Sequence, residues 1–395
     1  MASSASSSIW KYLEEETTPG AIESGGPQKL RVTDGSVSQS VEFDEDNELR
    51  ADRGKGAPTL VSGSVGGGLE INLSHGTFDT LIEALLAETF TYVAAGNTKA
   101  ISDAVFATGT ITSAAAELPA LETNQWFQIT GSSLNNGIFK TSGTVTPTTS
   151  SITVDLAVKA TVAETSVACN ISSGRIKQGN DPLRSFTFER ELNDVSRFFC
   201  YKESYVSALS LNYTIGAAVA GTLSVVAAAP EETGAVTFFD GTEEVTQTTT
   251  PRFNSVTGTY VLVDNADLGD SCMESFSLDI NANLRERRCL GSGLAPSGFA
   301  ADPFMISGTT SIFYGSSVSA ALYNKKLEGT QILFSICIED SEGNGFAVTF
   351  PTATITEANV SGGTNGSDVM MSTSFSATST PGEPTVIIDV LGSLA

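Results

Sequence analysis

The chain carries the same series of motifs twice, on either side of a stretch of different character. Near its start stand Asn47-Glu48-Leu49-Arg50-Ala51-Asp52, then Val61-Ser62-Gly63-Ser64, an alternating apolar run, and a helical pattern around Phe78-Asp79-Thr80-Leu81-Ile82. Near its end stand Ala282-Asn283-Leu284-Arg285-Glu286-Arg287, then Ile306-Ser307-Gly308-Thr309, another alternating run, and a helical pattern around Val318-Ser319-Ala320-Ala321-Leu322. The order is kept while the spacing drifts by a few residues, as loops do between copies of one fold. A chain built from two like units favours assembly into a ring.

Period-2 alternation dominates between turn signals, so the fold class is mainly β. Val37-Ser38-Gln39-Ser40-Val41-Glu42-Phe43 alternates, a polar loop follows over 44–58, and strand character resumes at Thr59-Leu60-Val61 and Leu69-Glu70-Ile71-Asn72-Leu73. Phe78, Leu81, Ile82, Leu85 and Leu86 then recur at helical spacing, with Thr77 placed to cap and Asp79 placed on the positive end of the helix. Between 98 and 174 the composition shifts to Ala, Thr, Ser and Val around an aromatic anchor, Trp126-Phe127-Gln128-Ile129, with Asn135-Asn136-Gly137 as a hairpin turn. That stretch reads as a small β module inserted into the first copy, which resumes at Arg184-Ser185-Phe186-Thr187-Phe188-Glu189-Arg190-Glu191 and continues through Tyr205 to Val225.

The expected division is an N-terminal arm over 1–35, the first copy over 36–97 and 175–230, the insert over 98–174, an acidic connector over 231–270 and the second copy over 271–395. The arm is rich in Ser, Glu, Gly and Pro, with Ile9, Trp10 and Leu13 as apolar anchors, and reads as either disordered or docked on a neighbour. The connector carries one basic and eight acidic residues and reads as a solvated loop.

The whole chain has 21 basic and 45 acidic residues and a formal charge of −24. Affinity for nucleic acid comes from neutralising phosphates, so tight DNA binding is not expected. Cys169, Cys200, Cys272, Cys289 and Cys337 show no CxxC pair and read as reduced thiols, while the start lacks a secretory apolar core and no window spans a membrane. Folding in a cytoplasm follows.

Chemistry-bearing constellations are scarce. His75 is the single histidine, which removes most triads and zinc sites, and its place between a strand and a helix suits a cap or surface role. No phosphate-binding GxxxxGK[ST] occurs, and the glycines from Gly63 to Gly68 fit close backbone packing in a strand. The acidic groups Asp44-Glu45-Asp46-Asn47-Glu48 and Asp264 to Asp270 lack the twelve-position calcium loop, and no two carboxylates are fixed at glycosidase separation. No catalytic residue, metal site or cofactor is expected. A β-rich surface adhesin or glycan-binding protein is the alternative reading, favoured by the Thr/Ser-rich sandwich character and opposed by the missing signal peptide.

Glu48-Leu49-Arg50-Ala51-Asp52-Arg53, Gly63-Ser64 and Leu69-Glu70-Ile71-Asn72-Leu73-Ser74-His75-Gly76-Thr77-Phe78-Asp79 together resemble the tail tube (major tail) protein of long non-contractile tailed bacteriophages, the siphophages. Arg184 to Arg190, Asn281 to Glu286 and Gly366-Ser367-Asp368-Val369-Met370 extend the resemblance over nearly the whole chain. It implies two tandem tail-tube folds, each a β-sandwich or barrel segment plus one helix, with the insert as a small β-sandwich. It implies a structural virion protein that polymerises into stacked rings, forming the tube through which phage DNA is ejected. Because one chain carries two copies, three chains would make a pseudo-hexameric ring.

By that resemblance, the loops 44–58 and 283–303 reach the adjacent ring. The contact residues are then Asp44, Glu45, Asp46, Glu48, Arg50, Asp52, Arg53, Arg285, Arg287 and Arg288. Implied partners are further copies of the chain, the tail terminator, tape-measure and distal tail proteins, and double-stranded DNA passing without specific binding. No membrane is involved, and assembly takes place in the host cytoplasm.

Overall fold

Alternation of apolar and hydroxyl side chains along the sequence becomes alternation of burial in space. In a computed structural model the chain is described over residues 8–15, 18–22, 26–46, 55–239, 244–268, 272–291, 294–315, 317–362, 366, 368–380 and 382–394. Along Ala220–Ala227 every second residue is buried, and Met305–Phe313 and Met370–Ala377 repeat the pattern. The structure is mainly β, as the period-2 pattern requires, and its two described α-helices are α1 (Asp79–Leu86) and α2 (Ser317–Glu328).

The ladder of the first copy runs from Ser38–Asp44 to Thr59–Asn72, then to Ala220–Ala227 and the long strand Arg197–Thr214. That long strand also pairs with Ser185–Leu192 and Glu232–Gly234, and Ser185–Leu192 pairs with the N-terminal strand Ser8–Glu15. In the second copy Met273–Asn281 pairs with Met305–Phe313, which pairs with Met370–Ala377, which pairs with the long strand Gly345–Val360. This second long strand pairs in turn with Ile332–Glu339 and Ile387–Leu391, and Ile332–Glu339 pairs with Thr259–Val263. Each of these pairings in one copy has its counterpart in the other. The strand Ser8–Glu15 of the arm therefore lies on its own chain, and strands of the acidic 231–270 stretch are drawn into both folds.

Irregularities recur as faithfully as the ladders. Bulges fall between Val32 and Asp34, Phe186 and Phe188, and Val206 and Ala208 in the first copy. Their counterparts fall between Met273 and Ser275, Ile332 and Phe334, and Ile355 and Glu357. A bulge bends its strand at one place, so three shared bulges fix how the copies superpose.

That superposition corrects the motif matching made from sequence. Gly67, opposite Val225, falls on Gly308, opposite Phe375, so Val65-Gly66-Gly67-Gly68 and not Val61 to Ser64 is the counterpart of Ile306-Ser307-Gly308-Thr309. Likewise Leu284–Glu286 falls on Phe43-Asp44-Glu45 and not on Leu49-Arg50. A shared Ser-Gly pair is weak evidence of register, which is set by bulges and core packing. Both glycines answer to close approach: a Cβ on Gly308 would stand 2.4 Å from the Phe375 ring, and one on Gly67 would stand 2.5 Å from the Ser36 carbonyl oxygen.

The helices pack on the long strands, α1 on Arg197–Thr214 and α2 on Gly345–Val360. Leu81, Ile82, Leu85 and Leu86 are buried as the spacing requires. Thr77 does not cap α1. Phe78 occupies the N-cap without a side-chain bond, and the Thr77 hydroxyl is engaged with Ser74 at 2.8 Å. In the second copy Phe334 and Phe350 each lie 5.3 Å from Phe375, an aromatic cluster in which each pair contributes about 0.5–1.5 kcal/mol beyond its buried area.

The inserted stretch forms its own six-stranded sheet, beginning with Lys99–Ala107 and ending with Glu164–Ser172. Its end strands Gly137–Lys140 and Ser151–Thr153 meet through the Thr141 to Val154 bridge, so the expected sandwich takes the form of a row closed on itself. Phe106, Phe127, Phe139 and Ile171 fill its core. Trp126 does not join them. It packs with Leu262, Cys337, Ala347 and Leu391, donates Nε1–H to Ser335 Oγ at 2.8 Å, and so docks a module inserted in the first copy onto the second.

Candidate functional site

The two copies are joined edge to edge by backbone pairing. Residues 208–214, the second half of the first long strand, pair antiparallel with residues 275–281 at the start of the second copy. One continuous sheet results, eight strands across: 32–44, Thr59–Asn72, Ala220–Ala227, the second half of Arg197–Thr214, Met273–Asn281, Met305–Phe313, Met370–Ala377 and the second half of Gly345–Val360.

One side of this sheet is packed on the core and the other faces solvent. Following the registers across, a single row on the solvent side reads Asp34, Glu70, Thr222, Ser210, Asp279, Ser307, Ser376 and Thr354. Neighbouring rows are similar, with Asn72, Asn212, Ser277, Thr309, Ser374 and Glu357 in one of them. The hydroxyls bond across strands: Thr222 Oγ1 donates to Glu70 at 2.9 Å, and Ser277 and Thr309 meet at 2.7 Å. Neither lysine nor arginine occurs in any of the eight segments. The face is hydroxyl-rich and negative.

Its strands are all antiparallel, so the hairpin ends at 44–58 and 283–303 lie on the same rim. The second hairpin touches the strand that follows the first: Arg288 Nη2–H donates to the Gly63 carbonyl at 2.8 Å, and Gly63 N–H donates to the Leu294 carbonyl at 3.1 Å.

Among the described residues, the two outer edges of the sheet have no strand beside them. At the first, Gln39 N–H is held by Glu231 Oε2 at 3.1 Å and the Val37 carbonyl accepts from Tyr201 Oη at 2.9 Å. The second is the far edge of residues 355–360, with Val360 exposed. An unpaired edge is a template for another strand, and side-chain cover is one way in which proteins restrain it.

The phage tail tube protein family matches residues 12–378. The chain belongs to that family. Comparison with curated proteins finds no match. The family is a structural one, which agrees with the surface character of the sheet face.

In this tail tube protein the residues expected to form loop contacts sort into three groups. Asp44 and Glu45 are exposed at the first hairpin, Glu45 pairs with Lys55, and Asp46 lies against Gly56. Glu48, Arg50, Asp52 and Arg53 lie outside the described residues. Arg285, Arg287 and Arg288 are exposed at the second hairpin, Arg285 paired with Asp302 at 3.3 Å and Arg288 with Glu286 at 2.8 Å. Among the described residues, acidic Asp44 and Glu45 at the base of the first hairpin and basic Arg285, Arg287 and Arg288 of the second thus lie on one rim.

His75 is buried and not at the surface as expected, its basicity lowered by burial, and its carbonyl accepts from Thr250 at 2.8 Å. Asp79, in the first turn of α1, is raised to about 6 by burial, with Glu83 adding to the shift. Cys169, Cys200 and Cys337 are buried, and Cys272 and Cys289 are exposed. Among the described residues no group of His, Cys, Asp and Glu is placed to hold a metal, and no helix is long and apolar enough to cross a membrane.

Sequence reasoning missed the docking residues of the insert in this tail tube protein. Lys140 is fully buried, bonds Asn265 of the second copy, lies 5.8 Å from the Trp126 ring centroid, and has its amine lowered to about 8 by burial. Arg175 forks onto Asp389 at 2.7 and 2.8 Å in a buried bidentate pair. Lys140 and Trp126 are brought together only by the pairing of their two strands, so no local pattern in the sequence announced them.

Proposed function

We propose that three copies of the chain close into a ring around a lumen lined by the solvent side of the eight-strand sheet. Such rings stack into the hollow tube of a long non-contractile phage tail, and double-stranded DNA leaves the capsid through it. The observation that carries this reading is the joint at 208–214 and 275–281, which sets two like folds side by side in one sheet and leaves one open edge at each end. Repeating that joint between chains would close a barrel and remove every edge. Two folds per chain give threefold symmetry with a sixfold outline.

The lumen chemistry fits its cargo. DNA is held by Lys and Arg through counterion release, so a wall of Ser, Thr, Asn, Asp and Glu lets it slide. The hairpin tips at 44–58 and 283–303 would reach the next ring, acidic against basic. The tail terminator, tape-measure and distal tail proteins would meet the tube at its ends and within it, and assembly would take place in the host cytoplasm.

Negative-stain microscopy of the purified full-length protein tests the reading. Tubes of uniform diameter are expected, and protein that stays monomeric at high concentration and binds host cells instead would overturn it in favour of an adhesin.

A further inference from the structure

The joint inside the chain is a template from which the joint between chains can be read residue by residue. Beside the paired strands it holds a groove of about 570 Å³, walled by Ala87 at the end of α1 and the loop 178–183 on one side, and by Ala282, Ala301 and Asp302 of the second hairpin on the other. A backbone bond from Ala282 N–H to the Ser207 carbonyl, 2.9 Å long, ties the two sides at the bulge.

The superposition fixed by the three bulges carries the second-hairpin wall of this groove to an open end of the molecule. Ala282, Ala301 and Asp302 fall on Val41, Leu60 and Val61 at one end, and exposed Leu327 stands in the last turn of α2, the helix packed on the edge strand at the other end. Small or polar residues of the second hairpin at the inner joint are thus replaced, at all three positions, by larger apolar ones. These three and Leu327 are exposed, Val61 at 53% and Leu327 at 64%. They sit on opposite ends of the chain, so no fold of one copy brings them together.

We propose that these ends meet head to tail between chains in the register of the inner joint, with Ser38 facing Asn359 and Ser40 facing Glu357. Leu327 of one chain then fills the groove against Val41, Leu60 and Val61 of the next. The difference between the two joints has a physical reason. The inner joint is tethered by the polypeptide, whereas the seam must offset the lost freedom of a separate molecule, and apolar burial supplies that. The inference rests on the ring reading above and adds to it the register and chemistry of the seam.

Full-length protein with Cys272→Ser and Cys289→Ser serves as the background for the test. Ser38→Cys with Asn359→Cys is expected to oxidise into covalently closed trimers in assembled tubes, while Asp34→Cys with Asn359→Cys, four residues out of register, stays unlinked. Leu327→Asp and Val61→Asp, exposed in the free chain, are expected to keep the parent melting temperature and raise the critical concentration for tube formation at least tenfold. Tubes in which the out-of-register pair links, or neither pair does, overturn the register. Unchanged assembly of Leu327→Asp overturns the apolar seam. In both cases the ring reading stands, whereas a parent protein that makes no tubes defeats that reading and the seam with it.

Discussion

Gln39 and Glu231 grip each other through reciprocal bonds: Gln39 N–H donates to Glu231 Oε2 at 3.1 Å, and Glu231 N–H donates to Gln39 Oε1 at 3.0 Å. The position equivalent to Gln39 in the second copy is Ile280, which instead faces Leu209 across the inner joint. Side chains of the same chain therefore stand where a strand stands in the other copy. Tyr201, which covers the neighbouring Val37 carbonyl, falls on Phe350, which has no hydroxyl to offer. The free subunit guards the edge that the ring would use.

Glu231→Ala removes that guard. The expected outcome is a shorter lag before polymerisation, several-fold by light scattering, with a loss of stability of about 1 kcal/mol. A lag identical to the parent's would show that the bond does not restrain assembly.

Lys140 makes the docking of the insert depend on pH. Its folded amine is lowered from 10.5 to about 8 by burial, so between those values the unfolded chain binds more protons than the folded one. Stability then rises with pH through that window, by up to about 3 kcal/mol. Lys140→Met should flatten the rise, and thermal melts of both proteins from pH 7 to 10.5 measure the difference. Parallel curves would contradict the assignment.

Gly308 makes room for Phe375, whose ring lies 2.4 Å from where a Cβ would stand. Gly308→Ala is expected to destabilise by about 1–3 kcal/mol through overpacking, and Phe375→Leu in the same chain should recover part of the loss. Chemical denaturation of the two variants, read against Phe375→Leu alone, gives the coupling.

Reversing charge on the solvent face should turn a sliding surface into a sticky one. Tubes carrying Glu70→Lys and Asp279→Lys are expected to retain DNA with a steep salt dependence, as counterion release requires, while parent tubes retain none. Filter binding between about 50 and 200 mM salt reads the effect, and equal retention by both would remove the electrostatic account of the lumen.

Much of this architecture was legible in the sequence because a half-buried strand must alternate. Thr59–Asn72, Ala220–Ala227 and Met370–Ala377 announce themselves in that way, and so does the helix at Leu81, Ile82, Leu85 and Leu86. The register between copies was not legible, since Val61-Ser62-Gly63-Ser64 resembles Ile306 to Thr309 more closely than the glycine run that superposes on it. Trp126 was hidden for a related reason. An aromatic residue in a strand announces burial without naming the surface that buries it, and here that surface belongs to the other copy. The apolar positions Val41, Leu60, Val61 and Leu327 looked like ordinary strand and helix residues until their exposure was known.

A reconstruction of assembled tubes by electron cryomicroscopy, at a resolution that traces strands, tests the central claim most directly. The account predicts three chains per ring and one unbroken barrel whose inner wall carries Asp34, Glu70, Ser210, Asp279 and Ser307. Six chains per ring, or a lumen lined by lysine and arginine, would contradict it.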